Sequence, residues 1–346
     1  MDLAKLCERL MDRWLDRAFA GAAEWRPAVR LAEWLAREEP PADAAPRSAP
    51  TTASLDSRPS GAPSASVPLR TDGRIRRAEV QWKPSAAPGP ADTGYRDTAG
   101  FYLPALPTPG LLAGLLVLPV LHDPLNLAVG PLARYLALRG FAVLEVRSGP
   151  SFLSRVRVEP QGVGPTWGEV VTGMIADGRR ALDWLGAREE VDPRRLGIVG
   201  VSHGAIVGPC VMGADVRLAA GVFCMGGGDE GLLVARSRER TVRRFRRRLL
   251  RARGLRDPEA LLRAGPERPS PTDPLRYAPA VDPGRVLVVK TRWDLAVPPE
   301  AQDKLWEALG RPRRITLPLG HISFGLVYPM IARRAAAFLQ ERLGAT

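Results

Sequence analysis

The stretch from Leu196 to Ala205, Leu-Gly-Ile-Val-Gly-Val-Ser-His-Gly-Ala, constrains the fold of this chain more than any other. An apolar run typical of a buried strand leads directly into a turn that fits the pattern G-x-S-x-G, with Ser202 at its centre. Such a turn strains the backbone at the serine, and side chains two positions to either side would collide with it, which explains Gly200 and Gly204. The motif therefore predicts a strand, a sharp turn and a helix, with the Ser202 hydroxyl held clear of the sheet.

The helix after this turn is expected to begin at His203. Its first N–H groups and the positive end of its dipole then face the serine. This arrangement favours attack on a carbonyl carbon, because negative charge develops on the carbonyl oxygen close to those groups. A glycine-rich connection also occurs in many α/β proteins simply as a tight turn, so the motif alone leaves the function open.

A nucleophilic serine needs a general base, and the sequence contains only three histidines. His203 adjoins Ser202, where its imidazole cannot turn back onto the hydroxyl. His122 follows an apolar strand and is expected to lie near the oxyanion pocket. His321 follows the last predicted strand, and in the chain order serine, acid, histidine it occupies the position of the base. We therefore predict that His321 is the general base.

The acid that orients the histidine is expected directly after the preceding strand. Asp294 stands there, 92 residues after the serine and 27 before the histidine. Asp303, one turn into the next predicted helix, is interpreted as a solvated charge. Asp229 is the stronger competitor, because some hydrolases carry the acid one strand earlier.

From about Ile75 to Leu343 the sequence resembles the α/β-hydrolase family. The residues 177–185 and 191–200 are similar to the helix and strand that precede the nucleophile in dienelactone-hydrolase-like and prolyl-oligopeptidase-like members. The run 294–299, Asp-Leu-Ala-Val-Pro-Pro, is similar to their acid loop. The resemblance implies a serine, aspartate and histidine triad that needs neither a cofactor nor a metal.

The sequence departs from that family after the third strand of the family's sheet. Many members carry His-Gly or His-Gly-Gly-Gly there, whereas this chain has Leu-Pro-Val-Leu-His-Asp at positions 118–123. Pro119 has no N–H to donate. The oxyanion hole is therefore expected to use the backbone N–H of His203 together with that of Val120 or Leu121.

At 346 residues the chain has room for one large domain and an appendage. Residues 1–39 are predicted to be helical, residues 40–70 form a linker rich in proline, alanine and serine, and residues 71–346 form the hydrolase-like domain. In this domain, antiparallel hairpins precede alternating strands and helices, which predicts a mostly parallel sheet with helices on both faces. Residues 229–282 interrupt the alternation, and we expect a helical lid insertion there.

The net charge of +13 is concentrated in one segment. Between Arg236 and Arg256 lie eleven arginines and one glutamate, which supply +10 of the total. Val242, Phe245, Leu249 and Ala252 recur at helical spacing and form an apolar stripe in this segment, as expected for a solvated helix packed through one face. An alternative is that the arginines attract an anionic substrate, a membrane surface or an acidic partner. Nucleic-acid binding is not expected, because Phe245 is the only aromatic residue among the arginines.

Cysteine content and hydropathy give an expectation for the compartment. Cys7, Cys210 and Cys224 lack metal-type spacing, and their odd number argues against a disulfide framework. No apolar run is long enough for a bilayer span, and the first residues lack a signal-peptide core. We therefore expect a soluble, cytoplasmic protein. The sequence does not predict an oligomeric state.

These features together predict a serine hydrolase acting on a small-molecule carboxylic ester or thioester. A peptidase or acyl-aminoacyl hydrolase is a second interpretation, although no β-propeller repeats precede the domain. A non-catalytic scaffold on a hydrolase fold is a third, and the complete triad argues against it. The sequence does not identify the substrate.

Overall fold

The computed structural model describes residues 30, 36–41, 68–81, 95–105, 110–123, 125–148, 152–154, 156–158, 165–263 and 270–344. Within these ranges ten strands form a single sheet. The strands are β1 (Arg37–Glu39), β2 (Arg70–Asp72), β3 (Ile75–Gln81), β4 (Tyr95–Pro104), β5 (Leu112–Leu118), β6 (Ala142–Ser148), β7 (Val191–Val201), β8 (Leu218–Cys224), β9 (Val286–Thr291) and β10 (Arg313–Leu317).

The order of the strands across the sheet is β1-β10-β9-β8-β7-β5-β6-β4-β3-β2. Strands β5 to β10 run parallel to one another. Strands β2, β3 and β4 add antiparallel pairs at one edge, and β1 pairs antiparallel with β10 at the other. This arrangement confirms the predicted mostly parallel sheet.

Apolar sequence runs account for the central strands. Every residue of β5 is buried, and so are the last six residues of β7. Parallel strands covered on both faces require such continuous apolar runs, since neither face meets water. The unbroken hydrophobicity of these segments therefore places them at the centre of the sheet.

Helices cover both faces of the sheet, as predicted. The helices α1 (Gly130–Leu138) and α9 (Tyr328–Leu343) pack on one face, and α2 (Trp167–Gly186), α3 (His203–Ala214) and α8 (Pro299–Ala308) pack on the other. Between β8 and β9 lie α4 (Glu230–Arg236), α5 (Arg240–Ala252), α6 (Glu259–Arg263) and α7 (Pro274–Tyr277). Short 3-10 helices occur at Phe152–Ser154, Ala278–Ala280, Pro283–Arg285 and Ser323–Val327. None of the helices in the described ranges is long and apolar enough to cross a lipid bilayer.

The structure differs from the predicted helical segment 1–39 at the end of that segment. Residues 37–39 form β1 on the edge of β10, where Glu39 pairs with Arg314 at 2.6 Å and Glu38 pairs with Arg334 at 3.0 Å. These charged residues have little intrinsic tendency to form a strand. The backbone hydrogen bonds to β10 and the two ion pairs stabilise the strand instead. Residues 1–29 and 31–35, and residues 42–67 of the predicted linker, lie outside the described residues.

The described part of the segment 229–282 contains α4 to α7 and one 3-10 helix, joined by short non-helical connections, and residues 264–269 fall outside that description. Phe245 is buried in the core, and Val242 and Leu249 pack against the core from the same face of α5. The segment is thus attached to the sheet domain through three of the four residues of its predicted apolar stripe, whereas the fourth, Ala252, is exposed. Its action as a lid stays a prediction.

Packing between β8 and α3 gives a test of the fold. Phe223 of β8 is fully buried against Gly208 of α3, where a Cβ would lie 2.5 Å from the ring carbon Cε1. We expect Phe223→Ala to lower the free energy of unfolding by about 3–5 kcal/mol, because the ring leaves a cavity. Urea denaturation measures this, with Val216→Ala at an almost fully exposed position as the control. Equal midpoints for the two variants would contradict the packing.

Candidate active site

Ser202 lies in the turn between β7 and α3, at the carboxyl edge of the parallel strands. Its backbone has φ 53° and ψ −115°, a conformation with positive φ that non-glycine residues rarely adopt. The Ser202 N–H donates to the carbonyl of Cys224, at the end of β8, over 2.8 Å. This strained turn directs the side chain out of the sheet, as the motif predicts.

The two glycines of the motif are required by backbone contacts. A Cβ at Gly200 would lie 2.2 Å from the carbonyl oxygen of Gly204. A Cβ at Gly204 would lie 2.7 Å from the carbonyl oxygen of Leu118, at the end of β5. Because backbone atoms cannot move aside as a flexible side chain can, neither position accepts a larger residue without shifting a strand.

His321 reaches Ser202 from the loop that follows β10. Its Nε2 lies 2.9 Å from the Ser202 Oγ. The loop is fixed by Ser323, whose hydroxyl oxygen accepts the Gly320 N–H at 2.9 Å. The imidazole is therefore within hydrogen-bonding distance of the predicted nucleophile.

Asp294 lies behind His321, on the loop that follows β9. Its Oδ2 lies 2.8 Å from His321 Nδ1. The carboxylate is buried, and it also accepts hydrogen bonds from the Thr291 hydroxyl and from the N–H groups of Ala296 and Val297, each at 2.8 Å. These donors replace water around the charge and fix its orientation. The sequence does not identify these donors, although a threonine at a strand end and an aspartate after it are common turn-forming positions.

The two competing carboxylates lie elsewhere. Asp303 pairs with Lys290 at 2.5 Å and with Arg314 at 3.1 Å. Asp229 caps α4 and pairs with Lys304. Both carboxylates therefore have cationic partners away from the imidazole.

The residues predicted around the oxyanion hole lie beside Ser202. Val120, Leu121 and the exposed His122 line the cleft that contains the serine. His203 is the first residue of α3. Burial lowers the pKa of its imidazole to about 4, so this side chain is neutral near pH 7.

The loop after β5 has an anchor that the sequence analysis missed. Asp123 is buried and accepts hydrogen bonds from the N–H groups of Leu127 and Ala128 at 2.9 and 2.7 Å. Its own N–H donates to the Ser148 hydroxyl at 2.8 Å. The available signal was an aspartate between a buried strand and a helix, where such side chains often close turns.

Ser202 and His321 lie between two apolar cavities. The outer cleft has a volume of about 1580 Å³ and is lined by both residues, by the loop after β5 and by the residues 320–326 of the histidine loop. The inner cavity has a volume of about 110 Å³ and extends from the same two residues toward α3 and α5. Its apolar walls include Leu121, Val171, Ile206, Val207, Val242 and Phe245.

Comparisons with known proteins give similarity at the level of the fold. No family model and no curated protein sequence matches the chain. The acetyl xylan esterase from Paenibacillus sp. R4 superposes with a TM-score of 0.54 at 18% identity, covering 93% of this chain and 94% of that chain. A hypothetical protein from Pseudomonas aeruginosa superposes with a TM-score of 0.51 at 16% identity, covering 79% of this chain and 95% of that chain. The acylaminoacyl peptidase of Pyrococcus horikoshii superposes with a TM-score of 0.53 at 13% identity, covering 71% of this chain and 39% of that chain.

The backbone contacts of the turn can be tested by adding a single methyl group. We expect Gly200→Ala to lower the free energy of unfolding by about 1–3 kcal/mol or more, because the new Cβ overlaps the Gly204 carbonyl. Gly168→Ala in α2 is the matched control, since a Cβ there meets nothing within 4 Å. The control is expected to be neutral or to stabilise by up to about 1 kcal/mol. Thermal and urea unfolding measure both, and an unaffected Gly200→Ala protein would argue against the tight turn.

Proposed function

We propose that this chain, which has the α/β-hydrolase fold, is a serine hydrolase that cleaves a carboxylic ester or thioester through an acyl-enzyme intermediate. One observation carries the proposal: a continuous line of hydrogen-bonding groups runs from Ser202 Oγ through His321 to the buried carboxylate of Asp294, with distances of 2.9 and 2.8 Å. A serine, an imidazole and an oriented carboxylate in this geometry suit nucleophilic acyl transfer.

In the proposed first half-reaction, Ser202 Oγ forms a bond to the substrate carbonyl carbon while its proton passes to His321 Nε2. Asp294 stabilises the imidazolium through the Nδ1 hydrogen bond and holds the ring in the required tautomer. The bond from the carbonyl carbon to the leaving oxygen or sulfur then breaks. The leaving group takes the proton from His321, and the acyl group remains on Ser202.

Water completes the cycle by the same steps in reverse. His321 accepts a proton from the water as its oxygen attacks the acyl carbon, and the acid is released when Ser202 Oγ takes that proton back. In both half-reactions the oxyanion is stabilised by the N–H of His203 and by that of Val120 or Leu121. The position of Val120 and Leu121 in the outer cleft beside Ser202 supports this assignment.

An ester or thioester substrate fits the cavities better than a peptide. The surface of both cavities is mostly apolar, which suits an ester better than a peptide, because each backbone N–H of a peptide that is buried without a partner costs free energy. The name of the acetyl xylan esterase neighbour points to the same chemistry. An acyl-aminoacyl substrate is the second candidate, because one structural neighbour is an acylaminoacyl peptidase. The similarity covers only 39% of that chain.

The two cavities suggest how an ester lies in the site. His321 must protonate the leaving group, and the loop that carries it lines the outer cleft, so the leaving group belongs on that side. The acyl group then enters the inner cavity of about 110 Å³. Apolar cavities of about 150 Å³ hold a benzene molecule, so this one is suited to acyl chains of up to about four carbon atoms.

The catalytic roles are tested by substitution. We expect Ser202→Ala to lower kcat/KM for p-nitrophenyl acetate by about 10⁴-fold or more, and Asp294→Asn to have a similarly large effect because the imidazole loses its orientation. Asp303→Asn is the matched control and is expected to retain wild-type turnover. Full activity in Ser202→Ala would refute the assignment, and a large loss in Asp303→Asn would point to a structural effect.

The inner cavity is tested with p-nitrophenyl esters of increasing acyl length. We expect kcat/KM to fall steeply beyond about four carbon atoms, where the chain outgrows the cavity. Val207→Ala and Val242→Ala enlarge the inner cavity and are expected to shift the preference toward longer chains. Leu295→Ala, which widens only the outer cleft, is the control and is expected to leave the order of preference unchanged. A wild-type preference for long chains would contradict this placement of the acyl group.

A further inference from the structure

Helix α5 presents one face of arginines to solvent. Its exposed arginines are Arg240, Arg243, Arg244, Arg247 and Arg251. The last four follow Arg240 by three, four, seven and eleven residues, and this spacing places all five on one side of the α-helix. Val242, Phe245 and Leu249 lie on the opposite side, against the core. We call the five exposed residues the arginine face.

Two other arginines of α5 have a different role. Arg246 donates to the carbonyls of Val234, Ala235 and Ser237 at 2.8–3.0 Å. Arg248 donates to the carbonyls of residues 153, 154 and 156 at 2.9–3.2 Å. These two side chains therefore attach α5 to the neighbouring segments of the chain.

The five side chains of the arginine face differ from Arg246 and Arg248 in their surroundings. Among the residues that the structure describes, none of its five guanidinium groups forms an ion pair with a carboxylate. Like charges three and four residues apart repel one another and destabilise a helix. Folding therefore does not explain this cluster of charge, whereas binding of an anionic surface does.

A second unusual surface surrounds the mouth of the outer cleft. Four large apolar side chains are exposed there: Trp293 by 64%, Leu295 by 57%, Ile322 by 94% and Leu326 by 62%. Single exposed apolar residues are ordinary, but several grouped around one cavity mark a site of contact with an apolar partner. We call these four residues the apolar rim.

The arginine face and the apolar rim are neighbours. Arg238, just before α5, donates its N–H to the carbonyl of Leu295 at 2.6 Å. Arg238 and Arg240 line the outer cleft together with all four residues of the apolar rim. The cationic and apolar groups therefore form one surface at the opening of the cleft.

We propose that this surface docks on an anionic lipid bilayer. Arginines attract the phosphates and acidic headgroups of such a membrane, and the apolar rim enters the boundary between headgroups and acyl chains. Nucleic acid fits less well, because three of the four rim side chains are aliphatic and cannot stack on bases. Docking does not depend on the proposed hydrolysis. If both hold, the cleft opens onto the bilayer and receives an ester dissolved in it.

Sedimentation with vesicles tests the charge of the partner. We expect the 346-residue chain to bind vesicles of phosphatidylcholine and phosphatidylglycerol in equal parts, and not vesicles of phosphatidylcholine alone. Arg243→Gln, Arg247→Gln and Arg251→Gln combined are expected to weaken binding by roughly 100-fold, since each basic residue contributes about 1 kcal/mol at an anionic surface.

The matched control removes the same charge elsewhere. Arg70→Gln, Arg74→Gln and Arg194→Gln change exposed arginines at the β2–β3 hairpin and in β7, and are expected to leave vesicle binding at the wild-type level. No binding of wild type to the anionic vesicles would overturn the proposal. An equal loss of vesicle binding in both triple variants would also overturn it. The same holds if a single-stranded oligonucleotide displaces the protein from the vesicles at a lower concentration than the lipid.

Insertion of the apolar rim has its own measurement. Lipids brominated on their acyl chains quench tryptophans that reach the hydrocarbon boundary, and we expect quenching in wild type that is largely lost in Trp293→Phe. Equal quenching of the two proteins, or none in wild type at saturating vesicles, would contradict the proposed orientation. Ser202→Ala is expected to bind vesicles like wild type, so a failure of docking and a failure of hydrolysis are distinguished.

Discussion

The site depends on one close contact between backbones, where the start of α3 meets the end of β5. Gly204 lies so near the Leu118 carbonyl that a Cβ there would approach it to 2.7 Å. This contact brings the loop after β5 beside the turn that carries Ser202. The oxyanion donors proposed on both segments can converge on a single point only because no side chain separates the two backbones.

The remaining members of the site reach it because parallel strands end at one edge of a sheet. The loops after β9 and β10 bring Asp294 and His321 to the edge where β7 ends at Ser202. Three hydrogen bonds to the Asp294 carboxylate, besides the one from His321, allow a charge to be buried there. The same edge opens into the outer cleft, whose apolar rim continues into the arginine face, so the proposed chemistry and the proposed membrane contact share one end of the molecule.

Much of the fold and of the candidate site could be predicted from the sequence, because the patterns that indicate them lie within short stretches of the chain. Continuous apolar runs identified the central strands, and the glycine spacing around Ser202 located the turn. The edge strand β1 was missed because its charged residues pair with Arg314 and Arg334, which are distant in sequence. Periodicity also gave no sign of Glu145, which is fully buried in β6 and accepts a 2.7 Å hydrogen bond from the Tyr102 hydroxyl. Burial raises the pKa of this carboxyl group, an effect that only tertiary packing produces.

The central claim is that Ser202 is a nucleophile activated by His321 and Asp294. Labelling of the folded protein with a fluorophosphonate, followed by peptide mass spectrometry, tests it most directly, because the reagent reacts with an activated serine and mimics the tetrahedral intermediate. We expect a single adduct on Ser202, formed rapidly in wild type and far more slowly in Asp294→Asn. Absence of any adduct on native wild-type protein, or an adduct on another serine while Ser202 stays unmodified, would contradict the account.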